Sequence, residues 1–176
     1  MDHFAKTTDA LAQAQQQGRL QRNFQGYTTA GQDCLIGIGA SSISQVDGVL
    51  WQNAKDIADY YAAIDQGHLP VVKGFRLSED DRLRAALISQ LICHFELDYR
   101  AFAEQWALTL AGADFWTYCA DAYRKLQPFI DDGLVTVSDS HITVTELGRL
   151  WVRSICACFD AYLDDAVTAP RYSKVV

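Results

Sequence analysis

The sequence predicts a mostly helical α+β protein built in two parts. Apolar residues recur at helical spacing from Leu83 onward. A glycine-punctuated apolar run from Cys34 to Ser44 reads as a strand buried on both faces or nearly so. The run Leu134-Val135-Thr136-Val137, a polar turn and the return Ile142-Thr143-Val144 form a β-hairpin signal. At 176 residues the chain fits one ordinary domain, or one domain plus a portion of another.

Taken in order, Thr7-Thr8-Asp9 supplies capping side chains for an alanine- and glutamine-rich helix through about Gln17, which Gly18 can terminate. The polar, aromatic loop Arg22 to Thr29 leads into the Cys34–Ser44 run, and Val46 to Trp51 reads as a short second strand. Asp56 to Asp65 reads as a helix with Ile57, Tyr60, Tyr61 and Ile64 on one face. Gly67 ends it, and Pro70 to Leu77 crosses in extended form. Ser78-Glu79-Asp80-Asp81 then starts a helix with a capping hydroxyl and acids in the first turn. Along that helix Leu83, Ala86, Leu87, Leu91 and Phe95 share a stripe. A short helix is predicted from Tyr99 to Leu108, a longer one from Asp114 to Ile130. After the hairpin, a last helix from about Thr145 to Val167 aligns Leu147, Trp151, Ile155, Phe159 and Tyr162. Residues 1–75 thus read as a helix plus the closing strands of something larger. Residues 76–176 read as a self-contained helical domain whose hairpin is a winged-helix-like wing.

Composition narrows the function. An apolar fraction of 49% speaks against disorder. A net charge of −7 disfavours nonspecific nucleic-acid binding, which needs a basic field. The longest apolar runs are too short to span a bilayer, and no basic region precedes an apolar one at Met1. The expectations are a cytoplasmic protein with neither nucleic acid nor membrane as partner.

Five scattered cysteines suit reduced, mostly buried thiols. Cys156 and Cys158 lie about 200° apart on a helix and cannot chelate together. Four histidines (His3, His68, His94, His141) share no metal-ligand spacing. The acidic clusters Glu79-Asp80-Asp81 and Asp164-Asp165 fall at helix ends, where neither suggests acid–base work. No catalytic residue and no metal ligand is therefore assigned. Gly37 and Gly39 would let a nucleoside or sulfonium ligand lie against backbone, or would serve close packing alone. The third glycine of a dinucleotide fingerprint is absent.

The stretches Asn23-Phe24-Gln25-Gly26-Tyr27-Thr28-Thr29, Gly37 to Ser44, Ser89-Gln90-Leu91-Ile92-Cys93, Asp131-Asp132-Gly133-Leu134-Val135 and Arg153 to Asp160 are the most distinctive. Together with Met1-Asp2-His3-Phe4-Ala5 and the ending Tyr172 to Val176, they resemble the oxygen-independent coproporphyrinogen III oxidases. These are radical S-adenosylmethionine enzymes of haem biosynthesis. The resemblance implies that residues 1–75 are the end of a partial (β/α) barrel plus a connector, and that 76–176 are the family's C-terminal domain. It implies a second S-adenosylmethionine site to which Phe24, Gln25 and Ile43 contribute. The substrate it implies, coproporphyrinogen III, carries propionates, for which Arg22 is the first candidate, with Arg149 and Arg153 behind it or simply on a solvated helix face.

In the complete family enzyme a reduced [4Fe-4S] cluster cleaves S-adenosylmethionine. The resulting radical removes hydrogen from a propionate, which then loses carbon dioxide and one electron in an oxidative decarboxylation to become a vinyl group. The C-x3-C-x2-C run that holds such a cluster does not occur in this sequence. The expectation is a chain that contributes one wall of the second cofactor site and a substrate lid, binds no cluster and is inactive alone. Its partner would be an N-terminal radical part. The alternative is a winged-helix-like binding or regulatory module without catalysis.

Overall fold

A computed structural model describes residues 5–31 and 34–163. Asp33, the Met1–Phe4 stretch, the Asp164-Asp165 pair, the helix end expected near Val167 and the Tyr172–Val176 ending lie outside the described residues. The architecture is mixed α and β with small antiparallel sheets. Its contacts divide the chain into two compact units, Met1–Arg82 and Leu83–Val176.

The first unit opens with α1 (Ala10–Gln16), capped by Asp9, whose carboxylate accepts from Leu11 N at 2.8 Å. A two-stranded hairpin follows, β1 (Gln21–Arg22) against β2 (Tyr27–Thr28). Then β3 (Cys34–Leu35), β4 (Ile43–Val46) and β5 (Val49–Asn53), the helix α2 (Ile57–Asp65) and β6 (Val71–Arg76) complete the unit, with the strands ordered β3-β4-β5-β6. Every neighbouring pair in that sheet is antiparallel.

Three expectations change here. The run Cys34 to Ser44 is not one buried strand: residues 36–42 leave the sheet, and Ile38 is 89% exposed. The backbone dictates this, because Gly39 (φ +101°) and Ser41 (φ +62°) adopt left-handed conformations that no strand can continue through. The stretch Val46 to Trp51 is likewise interrupted. Asp47 (φ +49°) and Gly48 (φ +70°) form the two-residue turn joining β4 to β5, the turn chemistry that Asp-Gly favours. Pro70 to Leu77 is more than a crossing, since β6 pairs along β5. Leu77 N also donates to Gly48 O at 2.8 Å, which ties this segment to the residues before it.

Asp56 caps α2 as its position suggests, accepting from Ala58 N and Asp59 N. The apolar stripe is present but bare, with Ile57, Tyr61 and Ile64 all exposed.

The helix α3 (Glu79–His94) starts at the end of the first unit and forms the centre of the second. Its start is a reciprocal capping box: Asp81 N donates to Ser78 Oγ, and Ser78 N donates to the Asp81 carboxylate at 2.8 Å. Leu83, Leu87 and Leu91 are fully buried. Phe95 in a left-handed conformation (φ +63°) stops the helix. The chain continues through β7 (Glu96–Asp98), α4 (Tyr99–Gln105), α5 (Ala107–Leu110), α6 (Phe115–Tyr118), α7 (Ala120–Asp131), β8 (Val135–Val137) and β9 (His141–Val144). A 3-10 turn (Gly148–Trp151) and α8 (Val152–Ala157) end it, and the strands order as β7-β9-β8.

The expected hairpin is thus a three-stranded sheet, with β7 an added strand. The helix expected from Asp114 to Ile130 breaks at Cys119. Asp114 caps its first piece, and hydrogen bonds from Thr117 hold that carboxyl below its ordinary pKa. The final helix is shorter than predicted and ends at Ala157. Its N-terminal turn is 3-10, with 3.0 residues per turn, so the stripe slips out of phase: Leu147 and Trp151 are exposed while Ile155 and Phe159 are buried.

Neither α2 nor β6 contains a buried residue, whereas α3 and α8 line a closed core. Backbone amides after Leu83 are therefore expected to exchange slowly with solvent and those before it fast. Equal protection in both units, measured by hydrogen exchange, would contradict this ordering.

A candidate ligand cavity on the first unit

The β1–β2 turn is built by one side chain. Asn23 Oδ1 accepts from Gln25 N at 2.9 Å and from Gly26 N at 3.2 Å, while Asn23 N donates to Gly26 O at 2.9 Å. Asparagine suits this position because its short amide satisfies backbone donors locally. Gly26, with φ +145°, occupies backbone space that a side chain would strain. The outcome is that Phe24 stands at the tip of a pinned turn with 53% of its surface exposed.

Strand register supplies the opposing surface. Ile43 pairs with Gln52, and Gln52 pairs with Lys73, so these three form one row across β4, β5 and β6. Leu50 pairs with Phe75, two positions along on the same face. Phe24 and this face enclose an open cavity of about 240 Å³, whose lining Trp51 and Gly74 complete. Phe24 and Ile43, both named from sequence, therefore share one cavity. Gln25 and Arg22 do not line it. Arg22 instead lies over the Tyr27 ring, 5.4 Å from its centroid. Leu50, Gln52, Lys73 and Phe75 were not anticipated. Asp47-Gly48 was the signal that could have found the first two, since it sets the β4–β5 register.

The glycine run has a packing role. A Cβ on Gly37 would sit 2.6 Å from Ile43 O, so only glycine allows this approach. Gly37 N donates to Ser44 Oγ at 2.9 Å, and the buried Asn53 amide donates to Gly39 O and Ser42 Oγ, each at 3.0 Å. These bonds fasten residues 36–42 to β4 and β5, and no ligand is needed to account for Gly37.

Comparison with known proteins adds a family to this geometry. The family model of the HemN C-terminal domain matches residues 77–151. Residues 77–151 are thus similar to a HemN C-terminal domain.

Over all 176 residues it is 46% identical to an oxygen-independent coproporphyrinogen III oxidase of Pseudomonas aeruginosa and 43% identical to one of Salmonella typhimurium. It spans 37% of the length of each. A relative of the same name in Thermostichus vulcanus is 44% identical and is covered over 53% of its length. Among solved structures, a coproporphyrinogen III oxidase (HemN) from Escherichia coli, described as a radical SAM enzyme, superimposes with a TM-score of 0.84 at 44% identity. That match covers 93% of this chain and 36% of the other. The chain matches the C-terminal domain of this oxidase, as the sequence resemblance indicates.

The match to the family model begins at Leu77, just after β6, so the cavity lies wholly on the N-terminal side of the matched span. Within the domain, Arg149 packs over the Phe95 ring at 4.7 Å and pairs with Glu146 at 3.3 Å. Arg153 is half-buried rather than on a solvated face, and its neighbours Val152 and Ile155 are in the core. Cys93, Cys119, Cys156 and Cys158 are buried, and Cys34 is exposed. No group of three or more His, Cys, Asp or Glu side chains among the described residues could hold a metal ion.

Proposed function

We propose that the chain works as the C-terminal part of an oxygen-independent coproporphyrinogen III oxidase, in which residues before 77 form one wall of an S-adenosylmethionine site and the domain after it covers the tetrapyrrole. The observation that carries this is the convergence of Phe24 and Ile43, distant in sequence, on one cavity. An aromatic face and a branched aliphatic suit a sulfonium or an adenine, and they exclude water from it. Gln25, beside Phe24 on the pinned turn, supplies an amide for a polar ligand edge. Arg22 would orient a propionate. S-adenosylmethionine, activated by a cluster held elsewhere, supplies the hydrogen-abstracting radical in the complete family enzyme. This chain's residues bind and orient. Radical formation does not start on them.

Residues beyond this sequence would provide the cluster and the rest of a partial barrel. The bare stripe of α2 and the exposed β6 support such a partner surface. Unit 2 has the order helix, strand, helices, hairpin, which supports a winged-helix reading. The chain's acidity favours protein or tetrapyrrole contact for that wing over nucleic acid. No helix among the described residues is long and apolar enough to cross a membrane, in keeping with the proposed cytoplasmic setting.

The test is anaerobic reconstitution with the N-terminal part of a relative, S-adenosylmethionine and a reductant. The chain alone is expected to form no vinyl product and to take up no [4Fe-4S]; the mixture is expected to convert coproporphyrinogen III. Vinyl formation or near-stoichiometric cluster by the chain alone would overturn the proposal.

A further inference from the structure

One member of the cavity's lining differs in kind from the rest. Apart from Lys73 and Gln52, the wall is aromatic and aliphatic or is the glycine of β6. Gln52 already spends its amide, donating from Nε2 to Ser41 O at 2.9 Å. Lys73 has no carboxylate within ion-pair distance among the described residues, and no hydrogen-bond acceptor is recorded for it there. Its place is set by register: it sits in the same cross-strand row as Ile43, with Gln52 between them. An exposed cation lining an apolar cavity wall, without a counter-ion among the described residues, can meet an anion brought by the ligand.

We propose that Lys73 is the anion-binding residue of this cavity, and that it receives an aliphatic carboxylate from a ligand whose apolar or aromatic body rests on Phe24 and Ile43. The inference rests on the site reading above and adds to it a polar anchor that neither the turn motif nor the glycine run revealed. The carboxylate could belong to the methionyl end of S-adenosylmethionine or to a tetrapyrrole propionate. Both offer the same group to an ammonium, and both carry a flat or apolar body. Lysine suits the role as a compact point charge on a flexible stem, able to follow the carboxylate as the ligand settles. Arg76, the other cation of β6, is not among the residues that line the cavity.

The test is calorimetric titration of the full 176-residue chain with S-adenosylmethionine, with its decarboxylated analogue and with coproporphyrin III. Each is run on wild type, Lys73→Met, Lys73→Gln, Lys73→Arg and Phe24→Ala, with thermal melts as a check on folding. Neutralising Lys73 is expected to weaken the carboxylate donor about tenfold, a value suited to a partly exposed charged hydrogen bond. Lys73→Arg should retain most of the affinity. If S-adenosylmethionine is the donor, its arm falls and the decarboxylated analogue binds wild type and variants alike. If the tetrapyrrole is the donor, only the coproporphyrin arm falls. Unchanged affinity for both carboxylate ligands in Lys73→Met and Lys73→Gln would overturn the proposal. In that case weakening by Phe24→Ala would leave the site reading standing, and no effect of Phe24→Ala would remove that as well. Absence of binding to wild type in every arm would also overturn it.

Discussion

Leu87→Ala is expected to destabilise the second unit by about 2–5 kcal/mol, the range for truncating a leucine in a core that cannot collapse around the void. Leu87 lies midway along α3 and is fully buried, with Leu83 and Leu91 buried one turn to either side. Those neighbours are held by a helix whose start is locked by the Ser78–Asp81 capping box, so the backbone has little freedom to close the gap. For a unit of this size the melting temperature should fall by roughly 10 °C or more. Leu150→Ala offers the contrast: Leu150 is 79% exposed, and its removal should leave the melt within a few degrees. A Leu87→Ala melt indistinguishable from wild type would mean that α3 is not the centre of this core.

Phe24→Ala in the reconstituted enzyme is expected to lower kcat/KM by about 5- to 150-fold, which corresponds to ~1–3 kcal/mol of lost transition-state stabilisation. The effect should reside in the cofactor wall. Asn23 would still close the β1–β2 turn, because its bonds go to Gln25 N and Gly26 N and none involves the Phe24 ring. Cluster content should be unchanged, since Phe24 has no side-chain atom that can ligate iron. Gln25→Ala is expected to act in the same direction through a lost hydrogen bond. Full vinyl-forming activity and normal S-adenosylmethionine affinity in Phe24→Ala would remove the site assignment.

The family resemblance and the local elements were legible in the residues because each depends on neighbours in the chain. Asp9, Asp56, Ser78 and Asp114 all cap the helices whose starts they mark, since a capping side chain reaches only two or three residues ahead. Gly18 (φ +67°) and Gly67 (φ +73°) close helices for the same local reason. The hairpin from Leu134 to Val144 was equally plain, its alternation and its polar turn being adjacent.

What failed were statements about burial and pairing over distance. The run Cys34–Ser44 is apolar enough for a buried strand, yet the contact of Gly37 with Ile43 O and the fastening of residues 36–42 by Asn53 hold it as a loop. β7 escaped notice because three residues acquire strand character only by pairing with β9. The sequence by itself determined the caps, the turns and the family resemblance, and it named two residues that line the cavity. Tertiary structure alone decided that Ile43, Gln52 and Lys73 stand in one row, and that Gln25 and Arg22 stand outside the lining. A cross-strand row is set by register, and register is a property of three strands closing on one another rather than of any stretch of chain.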